Sequence, residues 1–153
     1  MSAKVLIALA TALSLLSNVG ALIAQYGLGI LPCHLCLLQR YPHWLLSALG
    51  LASLLSGRIR LAWVGAAGAL YSVGMAFYHS GVERQFWPGP SDCTGGQNLS
   101  GLSGADLLST DIPVGIIRCD AISYSVLGLS FANMNLLISL ALVWIWVAAA
   151  RRA

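Results

Sequence analysis

The chain has 153 residues, of which 58% are hydrophobic and only 8% charged. Soluble domains carry about 25% charged residues, and a fold this small keeps too much surface to hide so much apolar area from water. The net charge of +3 includes no basic run able to neutralise a row of phosphates, which argues against nucleic acid as a partner.

The first apolar run, residues 5–26, covers about 33 Å at 1.5 Å per residue, enough for a hydrocarbon core of about 30 Å. Lys4 could head a secretory signal, but the run is long for one and further apolar runs follow, so a retained span is expected. The second span is placed at 37–56. It takes in Gln39, Arg40 and Pro42, so either the bilayer thins there or the helix starts close to Cys36. The third, 61–79, carries Gly65, Gly68 and Gly74 among alanines, a face suited to close helix packing. The fourth, 131–149, has Trp144 and Trp146 near one end, expected as an aromatic belt. Asn18, Asn133 and Asn135 are the polar exceptions within otherwise apolar spans.

The expected architecture is therefore an all-α membrane protein: one domain over 1–153, built as a four-transmembrane-helix bundle. Lys4, Arg58, Arg60, Arg151 and Arg152 mark the cytoplasmic side, and both termini fall there. Residues 27–40 and 80–130 then face outward, and all five acids lie between Glu83 and Asp120. Within the long outer segment, Ser103-Gly104-Ala105-Asp106 resembles a capping box. The leucines and isoleucines around it suit a short helix on the membrane surface, ended by Pro113.

The four cysteines fall in the two outer segments. Cys33-His34-Leu35-Cys36 is a C-x-x-C, which admits three readings. It could be a redox pair, because the second thiol is always within reach of the first. It could be a structural bridge, or half a zinc site, against which His34 lies between the cysteines and His43 at the membrane edge. Cys93 and Cys119, with 25 residues between them, look by themselves like a loop-closing disulfide worth about 3–4 kcal/mol in the chain-entropy model. Arg40, one helical turn past Cys36, could snorkel to lipid phosphate, lower a thiol pKa or bind an acceptor oxygen. His79 and Glu83, one turn apart, are an interfacial polar pair whose site role is open.

Pro32-Cys33-His34-Leu35-Cys36-Leu37-Leu38-Gln39-Arg40 resembles the P-C-x-L-C-x-x-Q-R signature of the disulfide-bond formation protein B (DsbB) family. The resemblance extends over essentially the whole chain. It implies a bacterial inner-membrane protein-dithiol:quinone oxidoreductase, which reoxidises a periplasmic thioredoxin-like oxidase (DsbA-like) and passes electrons to ubiquinone or menaquinone. It further implies that Cys93 is attacked by the partner, that Cys119 passes electrons to Cys33, and that Cys36 faces the quinone. Arg40 would hold the quinone and His79 would lie near it; no metal is implied. Two rivals remain at this level. One is a vitamin-K-epoxide-reductase-like quinone reductase, expected to carry its C-x-x-C at a late span. The other is a small four-helix transporter or assembly protein with structural disulfides, expected to bury polar residues in mid-span.

Overall fold

The computed structural model describes residues 1–90 and 118–153. Its helices are α1 (Ala3–Leu22), α2 (His34–Ser56), α3 (Ala62–Glu83) and α4 (Phe131–Ala150). Each packs on its neighbour in sequence, and α4 closes the ring against α1. Among the described residues, three segments are long and apolar enough to cross a membrane: Ala3–Gly27 at a mean hydropathy of 2.1, Ile59–Glu83 at 1.3 and Phe131–Ala150 at 1.8. The chain is thus a multi-pass membrane protein. The surface helix expected near 103–112 and Cys93 lie outside the described residues.

α2 differs from the predicted span. It is a 23-residue helix, about 34 Å long, but Gln39, Arg40, His43 and its serines keep it below the apolarity of the other three. It starts earlier than 37, at His34, because the Cys33 sulfur accepts the Cys36 N–H as the helix N-cap. Pro42 lies inside the helix, and Gly57 ends it at φ 70, a left-handed cap that glycine adopts without strain.

The two ends of the bundle are built from different materials. At one end Leu6, Ile7, Ala10, Leu46, Ala66, Leu142 and Trp146 form an apolar core. Here the expected aromatic belt divides: Trp144 is exposed, but Trp146 is fully buried. The reason is Gly65, where a Cβ would stand 2.4 Å from the Trp146 ring. Gly68 likewise lies under Leu46, whereas Gly74 faces open space, so only part of the small-residue face is used for packing. Gly65→Ala is expected to lower the stability of the bundle by about 1–3 kcal/mol, as overpacking does. Gly74→Ala is expected to be neutral or better. Thermal unfolding of both variants in detergent, compared with the wild type, checks the contrast.

The opposite end carries buried Gln39, His79 and Ser130. After α3 the chain folds back, with Trp87 Nε1 donating to the Tyr78 carbonyl at 2.8 Å and the indole stacked on Tyr78. Before α4, residues 125–130 form a two-stranded antiparallel hairpin that pairs Ser125 with Ser130. Its turn, Leu127-Gly128, has positive φ at both positions (52 and 78), the geometry that matches strand twist in two-residue hairpins.

Candidate functional site: a cysteine pair beside a cavity between the helices

The site begins where α1 stops being regular. Residues Ile23–Gly27 form a π-helical turn, and such turns concentrate at functional sites because they re-aim side chains. Here Gln25 accepts a hydrogen bond from Arg40 Nη1 at 2.6 Å, while Arg40 Nη2 donates to the Ala21 carbonyl at 3.2 Å. The guanidinium is held within the protein at the seam of α1 and α2.

Cys33 and Cys36 sit on the first turn of α2 as free thiols. The Cys33 sulfur lies 2.9 Å from the Cys36 sulfur and donates to it. Cys33 is buried, 4% exposed, whereas Cys36 is partly exposed. The hydrogen bond to Cys36, followed by burial, pushes the Cys33 thiol well above the usual range. Cys33 thus holds its proton toward the Cys36 sulfur.

Behind Cys33 stands His79, 1% exposed, with Nε2 3.5 Å from the sulfur. Its position is fixed by a chain of side-chain hydrogen bonds across three helices. Gln39 Nε2 is 2.7 Å from His79 Nδ1, Asn135 Nδ2 donates to Gln39 Oε1 at 2.7 Å, and His43 Nε2 is 2.7 Å from Asn135 Oδ1. Glu83 lies 3.9 Å from His79 Nε2 and accepts a short hydrogen bond from Ser130, the N-cap of α4. The spans are thus less bare of polar groups than the sequence suggested, and Gln39, His79 and Asn135, like Glu83 and Ser130, are paired with one another at the cysteine end.

Cys119 is disulfide-bonded. It is 1% exposed and packs in one cluster with Cys33, Leu35 and Val82. Next to it, Arg118 makes a bidentate pair with Asp120 at 2.9 and 2.7 Å, which holds the Asp120 carboxyl below the usual carboxylate range.

The sequence candidates divide as follows. Cys33, Cys36 and Arg40 line a single cavity of about 400 Å³ between α1, α2 and α4. Cys119 and His79 stand behind Cys33 and are not among its lining residues. Cys93 lies outside the described residues. As to metals, the ligand atoms of Cys33, Cys36 and His79 lie within 4.8 Å of one another, so three donors of a soft-metal site are present. His34, between the two cysteines, is exposed, and His43 is tied to Asn135.

A paired thiol on a helix N-cap, a histidine behind it and a disulfide packed beside it make up a thiol-exchange centre within a membrane bundle. The family model for disulfide bond formation protein DsbB matches residues 3–149. The chain belongs to the DsbB family. A curated relative, disulfide bond formation protein B of Verminephrobacter eiseniae (strain EF01-2), is 32% identical over 121 residues, 74% of this chain. The matched region spans 66% of that relative's own length. No solved structure is a match.

Several members of the site were missed or undervalued in the sequence. Gln25 gave no signal, because a π-turn has no local motif. Gln39 was visible as the Q of the DsbB-like signature, and its role as the link between His79 and Asn135 was not. Ser130 gave no signal and Asn135 read as a stray polar residue; only the closure of α4 on α2 and α3 gives them partners.

Proposed function

We propose that this DsbB-family chain reoxidises a periplasmic thioredoxin-like dithiol and delivers the electrons to a membrane quinone. In this reading α2 crosses the bilayer as the fourth span, both termini are cytoplasmic, and the cysteines lie at the periplasmic end. The observation that carries the proposal is the placement of Cys36. It opens onto a cavity of about 400 Å³, within the range of small-molecule sites, whose walls combine Leu13, Leu16, Ile30 and Ile138 with the Arg40 guanidinium. An apolar ring with polar oxygens fits such walls, and Arg40 can donate to one oxygen while remaining tied to Gln25. A quinone in this cavity supplies an acceptor for two electrons and two protons.

The residues divide the work accordingly. The partner's thiolate attacks the Cys93–Cys119 disulfide at Cys93, and the partner's second thiol displaces it, leaving the partner oxidised and Cys93 and Cys119 reduced. Cys119 then attacks Cys33 of an oxidised Cys33–Cys36 pair, and Cys93 resolves that mixed disulfide. This restores the outer disulfide and leaves Cys33 and Cys36 as thiols, which is the state described here. Cys119 and Cys33 already share one packed cluster, so the exchange needs little approach. Oxidation of the Cys33–Cys36 dithiol releases two protons and two electrons to the acceptor. His79 Nε2, which carries the ring hydrogen because Gln39 Nε2 donates to Nδ1, faces the Cys33 sulfur and can stabilise its thiolate, and Cys36 faces the cavity.

The testing experiment supplies purified protein with a reduced thioredoxin-like dithiol and follows quinone absorbance. Reduction dependent on both substrates is expected, and its absence overturns the proposal. Arg40→Ala is expected to raise the apparent KM for quinone about tenfold, as loss of one charged hydrogen bond does, with the rate of dithiol exchange unchanged. A quinone dependence equal to wild type would leave Arg40 as a structural link to Gln25 alone.

A further inference from the structure

Two buried polar atoms on the cavity wall take no part in the chemistry above. Asn18 and His43 are each 2% exposed, and both line the cavity. Asn18 Nδ2 and His43 Nδ1 have no hydrogen-bond partner among the described residues. Buried polar groups are satisfied in nearly all native proteins, so an orphan asks for an explanation.

The two residues face each other. α1 and α2 run antiparallel, with Thr11 against Gly50 and the Ala21 carbonyl against Arg40. Ten residues forward on α1 thus match ten residues back on α2. Seven forward from Thr11 is Asn18, and seven back from Gly50 is His43. The pair therefore lies at one level, three residues or about 4.5 Å along the helices from Arg40.

Their hydrogen-bonding characters differ. Asn18 Nδ2 can only donate. His43 Nε2 meets Asn135 Oδ1 at 2.7 Å. That oxygen can only accept, because Asn135 Nδ2 is the atom that donates to Gln39. Nε2 therefore carries the hydrogen, and Nδ1 of the neutral ring is an acceptor. A donor and an acceptor at one level are the complement of a hydroxyl group, which accepts from Asn18 and donates to His43. A carbonyl oxygen would satisfy Asn18 but leave His43 Nδ1 facing a second lone pair.

We propose that Asn18 and His43 form a subsite for an aromatic hydroxyl, so that the cavity binds the reduced, quinol form of its ligand more tightly than the quinone. The proposal rests on the quinone reading above and adds to it. Arg40 would serve one ring oxygen, and this pair the opposite oxygen once it has been protonated. Tighter binding of the product favours reduction at the ring and slows its release.

The test separates binding from turnover by using Cys36→Ser protein, in which the ring cannot be reduced. Dissociation constants of a decyl-substituted benzoquinone and of its quinol are measured by titration calorimetry under anaerobic conditions. In this background the quinol is expected to bind at least about tenfold more tightly, the ratio that one buried unpaired acceptor supports. Adding His43→Phe should abolish that ratio by weakening the quinol alone. Adding Asn18→Leu should weaken both forms, since either oxygen accepts from Asn18. Asn18→Leu strands no protein partner of Nδ2, so the test stands even where His43→Phe disturbs Asn135. Equal affinities for the two ring forms, or a quinol preference that survives both substitutions, would overturn the subsite while leaving quinone reduction by the wild type intact. If the wild type reduces no quinone and neither ring form binds, the functional proposal itself falls.

Discussion

Replacing Cys119 with serine is expected to slow steady-state quinone reduction by about a thousandfold or more, the scale on which a covalent catalytic residue fails. It is also expected to leave the protein unable to oxidise the reduced partner. Cys119 is buried, disulfide-bonded and packed in the same cluster as Cys33, the geometry required of a sulfur that must attack its neighbour in line. Without it, Cys93 is a lone thiol: there is no outer disulfide for the partner's thiolate to attack and no sulfur to carry electrons on to Cys33. Thiol titration of the reduced partner incubated with the variant should show no loss of partner thiols, where the wild type oxidises it. Quinone absorbance, followed in parallel, should stay flat. Serine is close in size to cysteine, so the packing against Leu35 and Val82 is kept and misfolding does not mimic the result. If Cys119→Ser turns over quinone at the normal rate, the Cys119 disulfide is a structural staple and electrons enter Cys33 by another path.

How much of this site could be read in the sequence depends on how local each feature is. The C-x-x-C and Arg40 lie within one helix start, where spacing alone fixes the geometry; both were legible, and the structure places them on one cavity. The three strongly apolar spans were legible for the same reason, because each is a property of consecutive residues. α2 was harder, since the residues that lower its hydropathy, Gln39, Arg40 and His43, are those that face the cavity. Trp146 was read as an interfacial anchor because nothing in its own helix reveals that Gly65 on α3 leaves room for its ring. The relay from His79 through Gln39 and Asn135 to His43 joins positions up to 96 residues apart, and a pairing at that distance follows only from the order in which the helices close. The hairpin at 125–130 was also hidden, as its turn uses Leu127 at positive φ where Asn or Asp would have announced it.

Cys36→Ser is expected to produce a different failure from Cys119→Ser, and the contrast is the sharper measure of the electron route. Cys36 is the more exposed sulfur of the pair and lines the cavity beside Arg40, while Cys33 keeps its proton through the hydrogen bond to it and through burial. Serine at 36 preserves the N-cap, since that bond uses the backbone N–H and the Cys33 sulfur, so α2 should still start at the same place. What is lost is the more exposed of the two cavity-lining sulfurs and the disulfide partner of Cys33. Quinone reduction should therefore fall by about a thousandfold or more. The outer disulfide remains competent, so the variant should oxidise a single equivalent of reduced partner and then stop, with no adduct left behind. Counting partner disulfides per protein by thiol titration, with and without quinone, reads this directly. A catalytic excess of oxidised partner in the presence of quinone would show that electrons leave the protein without passing Cys36, and would remove the cavity from the route.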